Sequence, residues 1–280
     1  NRFVIENYNW SKPFSNFFPG IAGKWGVPMW LYYVNRAQGI CSAGVKDKDH
    51  QIMEFLSFNR ACQVIPRQGF RTMIRLKDGK YFEPFQKTTS KSISQKMMIS
   101  SGELELSESR GDPALDIDLC YFPLVQYPLP AFVRVLTLRN RGKSTLSFDL
   151  LDGISRILPY GMEESHVTST ARHIEGMMGV EECEGIPIFR LKQTAADREE
   201  IGEISGGNFY FSLSGGTLNP GRYIVDPAVI FDEPFNYDSP RRFEEGGLRA
   251  VTAMEQIREC RTPCAFTGMK VTLKPGRSRT

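Results

Sequence analysis

Apolar and polar residues alternate with a period of two at one place after another along this 280-residue chain. That period fits an extended strand with one buried face and does not fit a helix. Phe70, Thr72, Ile74 and Leu76 fall on one side of such a strand, with Arg71, Met73 and Arg75 on the other. Asp78-Gly79 follows, a pair suited to a type I′ turn, so 81–85 is expected to return as its hairpin partner. Leu104 and Leu106 alternate with Glu103, Glu105 and Ser107, and the turn residues Arg110-Gly111-Asp112-Pro113 predict a second hairpin with 115–124. Leu146, Phe148 and Leu150 repeat the pattern, as do Phe209, Phe211 and Leu213, and near the end Met269, Val271 and Leu273. Residues 132–138 are nearly all apolar, the mark of a strand covered on both faces.

Helical spacing is scarce. Val167, Ala171 and Ile174 share a helical face, with Glu163 and Glu164 at the favourable N-terminal end and Gly176 as a stop. Residues 248–258 fit either period. Many strands with one or two short helices predict an all-β fold, a large antiparallel sandwich, in a single domain over 1–280. Residues 195–207 read as an exposed polar loop. The last residues turn at Pro275-Gly276 and stop where a returning strand is expected, and Asn1 is not an initiator Met. Both features are read as those of a piece cut from a longer protein.

Charge narrows the partners. Thirty-five basic and 32 acidic residues leave a net charge of +3 with no basic stripe, so nucleic acid is not the expected partner. No apolar run reaches bilayer length, so no membrane partner is expected either. The six cysteines are scattered in a chain too large to need disulfides, which reads as reduced and cytoplasmic. Cys260 and Cys264 are close in sequence but have no histidine near them, which argues against a metal or redox pair. Asp47-Lys-Asp-His50 has the composition of a metal loop and equally of a plain turn, and the turn is favoured. His173 and Glu175, two apart on a helix, point to different faces and make a poor acid–base pair. No Ser-His-Asp arrangement, HExxH or paired CxxC motif stands in the sequence.

Residues 8–33 carry an unusual density of rings: Tyr8, Trp10, Phe14, Phe17, Phe18, Trp25, Trp30, Tyr32 and Tyr33, including every Trp in the chain. Such rings stack on the C–H faces of sugars, and they equally build cores and domain interfaces. The Gly-containing segment 19–28 between them lacks GxGxxG and Walker spacing, which argues against a nucleotide cradle.

Three segments, Phe14-Ser-Asn-Phe-Phe-Pro-Gly-Ile-Ala-Gly-Lys-Trp-Gly-Val-Pro28, Trp30-Leu-Tyr-Tyr-Val-Asn-Arg-Ala-Gln-Gly-Ile40 and Lys48-Asp-His-Gln-Ile-Met-Glu-Phe55, together resemble the opening of a cellobiose-phosphorylase-like glycoside phosphorylase of the glycoside hydrolase family 94 type. Within that group the 1,2-β-oligoglucan phosphorylases are the most similar. Gly69-Phe-Arg-Thr72, Leu151-Asp-Gly153, Leu158-Pro-Tyr-Gly161 and Val225-Asp-Pro-Ala-Val-Ile-Phe231 fit the same picture. The resemblance implies a galactose-mutarotase-like β supersandwich that packs on a catalytic (α/α)6 barrel absent from this chain. In such enzymes an Asp of the barrel protonates the glycosidic oxygen while inorganic phosphate, as co-substrate, attacks and inverts the anomeric carbon. The product is a sugar 1-phosphate. No metal or organic cofactor takes part, and no catalytic residue carries over to this chain. The expected partners are the barrel and a β-glucan oligosaccharide, with self-association through the apolar face that the barrel leaves bare. Trp25, Trp30, Tyr33 and Arg36, in the aromatic stretch that lies near the sugar in these enzymes, are the candidate substrate-binding residues. Two other readings stand beside this one: a free-standing mutarotase-like aldose epimerase, and a dedicated carbohydrate-binding module.

Overall fold

A computed structural model of the chain describes residues 2–18, 29–169, 171–194, 202–218, 223–232 and 236–280. The chain opens with β1 (Phe3–Glu6), a 3-10 turn at Tyr8–Trp10 and β2 (Ser15–Phe17). Strands β3 (Met29–Val34), β4 (Ile40–Val45) and β5 (Gln51–Met53) add to β2 as a four-stranded sheet. Helix α1 (Phe58–Gln68) leads into the hairpin of β6 (Phe70–Leu76) and β7 (Tyr81–Phe82). A meander follows, formed by β8 (Ile93–Ile99), β9 (Leu104–Arg110), β10 (Leu115–Pro123) and β11 (Phe132–Asn140), and then β12 (Leu146–Ile154). Two short helices, α2 (Glu164–Ser169) and α3 (Ala171–Ile174), precede β13 (Met178–Cys183) and β14 (Ile186–Leu191). Four two-residue strands come next: β15 (Asn208–Phe209), β16 (Leu213–Ser214), β17 (Thr217–Leu218) and β18 (Tyr223–Ile224). Helices α4 (Ala228–Phe231) and α5 (Arg241–Thr252) and strands β19 (Ala265–Leu273) and β20 (Ser278–Arg279) complete the fold.

The protein is mostly β, and its named strands pair antiparallel throughout, as the alternation predicts. A six-stranded sheet runs β1-β8-β9-β10-β11-β20, and a five-stranded sheet runs β18-β19-β12-β6-β7. One buried cluster joins them: Leu106, Ile117, Leu119 and Leu138 come from the first sheet, and Ile74, Phe148, Leu150 and Val271 from the second. Leu31, Ile40 and Ala43 of the four-stranded sheet enter the same core. Among the described residues no helix is long and apolar enough to cross a membrane.

Several expectations are corrected. Strand β6 is buried on both faces, because α4 and α5 cover the side that carries Arg71, Met73 and Arg75. Met73 joins Leu151, Phe231, Phe243, Leu248 and Val251 in a second core, and Arg71 is only 2% exposed, paired with Glu83. The β6–β7 turn is not type I′, since only Gly79, not Asp78, has positive φ. Gly79 N donates to Leu76 O and Leu76 N to Lys80 O, a type I turn with the following glycine left-handed. The return strand is therefore shorter than the expected 81–85. The apolar run of β11 is half-buried over 132–137, not covered on both faces. Phe209, Phe211 and Leu213 form no continuous strand, and Phe211 and Leu213 are exposed. The tail does return after Gly276, as β20 beside β11. The helix expected around Val167 is present as α2 and α3 on either side of residue 170, which lies outside the described residues, and runs into a 3-10 turn at Glu175–Met177, while 248–258 is helical only as far as Thr252. Most of the loop expected at 195–207 lies outside the described residues.

Helix α5 is kinked at Gly247, whose φ is 64°. The sheet below supplies both halves with partners. Arg75 donates from Nε to Glu244 O (2.8 Å) and from Nη2 to Glu245 O (2.9 Å), while Asp149 Oδ2 accepts from Leu248 N (3.0 Å). Arg75 and Asp149 are cross-strand neighbours, so one spot on the sheet caps the end of one half-helix and the start of the next. A Cβ on residue 247 would run into Asp149 Oδ2 and would need a left-handed conformation as well. Gly247→Ala is expected to lower unfolding free energy by about 2 kcal/mol, read from urea denaturation. An unchanged midpoint would show that the kink is not fixed by this contact.

Candidate functional site

The ring-rich stretch divides by the parity of β3. Leu31 and Tyr33 turn into the main core, while Trp30 and Tyr32 lie on the opposite face of the four-stranded sheet. Phe17 pairs across from Tyr32, with ring centroids 4.8 Å apart. Phe55, just past β5, closes the group at 5.5 Å from Trp30, 5.9 Å from Tyr32 and 6.1 Å from Phe17. Phe17 and Phe55 are each 44% exposed and Trp30 is half-buried, so these three rings make an aromatic patch open to solvent, backed by the buried ring of Tyr32. The Trp30 ring lies across the backbone of Gly44 on β4, where any Cβ would strike its ring carbons, and Trp30 Nε1 donates to Asp47 O (3.0 Å). Tyr32 is held by its hydroxyl to Ser15 Oγ (2.7 Å).

The polar loop beyond β4 borders this patch. Asp47 Oδ1 accepts from Asp49 N (2.9 Å) and meets His50 Nδ1 at 2.7 Å, and the hydrogen bond from His50 holds the Asp47 carboxyl below its usual range. Lys48 reaches Glu164 (2.9 Å) and Asp49 (3.0 Å), which push its ammonium up to about 12. The loop is the turn that the sequence favours. Among the described residues no group of three or more His, Cys, Asp or Glu is placed to hold a metal.

The three described residues of the sequence-derived site, Trp30, Tyr33 and Arg36, are not brought together. Trp25 lies outside the described residues. Trp30 belongs to the patch. Tyr33 is 3% exposed and packs on Phe14 and Phe18, so it is a core ring and presents no face to a ligand. Arg36 spends its guanidinium on backbone, with Nη1 donating to Tyr8 O (3.2 Å) and Asn35 O (2.6 Å) and Nη2 to Ser11 O (3.0 Å). It pins the N-terminal segment. Sequence reasoning misses Phe17 and Phe55 as ligands, because Phe17 stands beside the buried Phe18 and Phe55 lies alone past a short strand, and neither pattern signals exposure.

His173 and Glu175 do not converge: Glu175 Oε1 accepts from Thr262 N (3.1 Å) and Oγ1 (2.7 Å), and His173 is exposed. Cys260 and Cys264 part company too, the first exposed near Gly176 O and the second buried near Ile224 O.

A second polar constellation sits between the large sheets. Arg134 of β11 forms a two-pronged ion pair with Asp152 of β12, and its Nη2 also donates to Gln38 Oε1 (2.8 Å) and Thr72 Oγ1 (2.9 Å). Arg134 Nε donates to Tyr121 Oη (3.2 Å), and Thr72 Oγ1 to Asp152 Oδ1 (2.7 Å). Burial pushes the Tyr121 hydroxyl up to about 12. Burial also opposes the Arg134 charge, but the Asp152 carboxylate outweighs it and keeps the guanidinium above its ordinary value. With its polar atoms engaged by one another, this cluster is a clasp between sheets. The chain matches no protein-family model and no curated protein.

The six thiols are all free and differ sharply in setting. Burial pushes Cys41 up to about 12 and Cys264 well above the usual thiol range. A thiol whose folded pKa is raised favours the fold while it stays protonated, so stability falls as pH rises from 9.0, the ordinary value, towards about 12. A disulfide reagent at pH 8 is expected to label Cys183 and Cys260 first, and Cys41 and Cys264 only on unfolding. Rapid native labelling of Cys41, read by peptide mass, would contradict this.

Proposed function

We propose that this chain is a non-catalytic, carbohydrate-associated domain of a cellobiose-phosphorylase-like glycoside phosphorylase, folded as a galactose-mutarotase-like supersandwich. The observation that carries the reading is the open patch of Phe17, Trp30 and Phe55, bordered by the polar loop with Asp47, Lys48 and His50. Flat rings cover the C–H faces of a glucosyl unit, and neighbouring carboxylate, ammonium and imidazole groups answer its hydroxyls. A core shared by two large antiparallel sheets suits a supersandwich. Six free cysteines suit a reducing, cytoplasmic setting.

On this reading the chemistry belongs to a separate (α/α)6 barrel. In-line attack by phosphate needs a proton donor on one side of the glycosidic bond and a cradle for the anion on the other. The barrel supplies both, and this domain contributes a surface that holds oligosaccharide near it. The same patch favours a second reading, a dedicated carbohydrate-binding module, which needs no barrel.

Titration of this chain with cellobiose and with β-1,2-glucooligosaccharides, followed by saturation-transfer NMR, is expected to give weak binding with Kd of about 1 mM or higher. Phe55→Ala is expected to weaken it about tenfold, roughly the loss of one stacking ring. Incubation with phosphate and either glucan is expected to release no sugar 1-phosphate. Turnover abolished by a substitution within this chain would show the active domain misassigned, and binding insensitive to Phe55→Ala would remove the patch from the account.

A further inference from the structure

Among the described residues, strand β1 is the outer strand of the six-stranded sheet, paired on one side with β8 and open on the other. Antiparallel ladders alternate, so every second residue of an edge strand turns its N–H and C=O outward. Asn7 N donates to Gln95 O (2.7 Å), which makes the odd residues the ones bonded to β8 in the register Phe3↔Ile99 and Ile5↔Met97. The outward groups therefore belong to Arg2, Val4 and Glu6. This edge is also apolar for its length: Phe3 is 64% exposed and Val4 50% exposed. Free backbone groups beside exposed apolar side chains form a template for another strand.

The sequence of the edge selects its partner. Arg2-Phe-Val-Ile-Glu6 reads as its own complement when reversed: with Val4 opposite Val4 of a second copy, Arg2 stands opposite Glu6, Phe3 opposite Ile5, and Glu6 opposite Arg2. In that register outward-facing residues meet outward-facing residues, so the hydrogen-bond parity is also met. Neither condition depends on the other. We propose that a second copy of this chain docks on β1 by antiparallel self-pairing centred on Val4, joining the two six-stranded sheets across a twofold axis. The junction forms about six backbone hydrogen bonds and two symmetry-related ion pairs. Arg2 now reaches Glu105 (2.5 Å) and Glu6 reaches Lys96 (3.0 Å). All four are surface groups, so Arg2 and Glu6 keep those neighbours while adding each other. Phe3 and Ile5 of opposite copies cover one another at the rim of the core.

Sedimentation velocity on the chain from about 1 to 200 µM tests this, because a small interface gives weak, concentration-dependent dimers. The expected result is a shift from the 31.8 kDa monomer to a species of twice that mass. Val4→Pro removes an outward N–H that β8 does not use, so the dimer is expected to be lost while the circular dichroism spectrum is kept. Arg2→Glu and Glu6→Arg each place like charges face to face and are expected to weaken self-association about tenfold or more. An equimolar mixture of these two variants brings opposite charges back into register, and its heterodimers serve as the internal control for folding. Restored dimer in the mixture supports the proposal. A parent chain that stays monomeric throughout, or a mixture no tighter than either variant alone, overturns it.

Discussion

Arg134 and Asp152 face each other from different sheets, and a charge pair held largely out of water is stable only when the remaining donors and acceptors around it are filled as well. Here Gln38, Thr72 and Tyr121 fill them, so five segments of the chain must arrive in register before the cost of burial is offset. An apolar core tolerates small slips between layers; this cluster does not. The six-stranded sheet, the five-stranded sheet and the loop between β3 and β4 are thereby fixed relative to one another.

That loop links the clasp to the surface. Gln38 enters the clasp, while its neighbours are held by the N-terminal segment: Tyr8 donates its hydroxyl to Ala37 O, Asn9 Oδ1 accepts from Ala37 N, and Asn35 and Arg36 donate to backbone carbonyls. Strand β3 runs straight into this anchored corner, and β3 carries Trp30 and Tyr32 on its other face. The placement of the aromatic patch therefore follows from interactions made in the core. Arg36, which resembled a ligand-binding residue in sequence, acts at this corner as a positioning group for the backbone.

Much of the β architecture was legible because burial on one face leaves a period of two. The hairpin of β9 and β10 follows it residue by residue, and β12 and β19 follow it over Leu146–Leu150 and Met269–Leu273. What escaped did so for identifiable reasons. Helix α1 carries Pro66 in its last turn and α5 carries Gly246-Gly247, residues that read as breakers, yet Ala61 and Ile65 of α1 and Phe243, Leu248 and Val251 of α5 are buried by tertiary packing. Strand parity alone separates Tyr33 from Trp30, three residues apart on β3, but aromatic density drew both into one candidate site. Arg134, inside an apolar run, gave no sign of a partner eighteen residues away, because an ion pair between sheets leaves no local pattern.

The claim on which the rest turns is that Arg134 and Asp152 act as one unit that holds the sheets together. A double-mutant cycle with Arg134→Met, Asp152→Leu and the combined variant, measured by urea denaturation, tests it most directly. Each single change leaves a largely buried charge without its partner and is expected to cost about 3 kcal/mol, with the combined variant falling short of the sum by about 2 kcal/mol. Costs that add to within about 0.5 kcal/mol would contradict the account, since independent residues behave in that way.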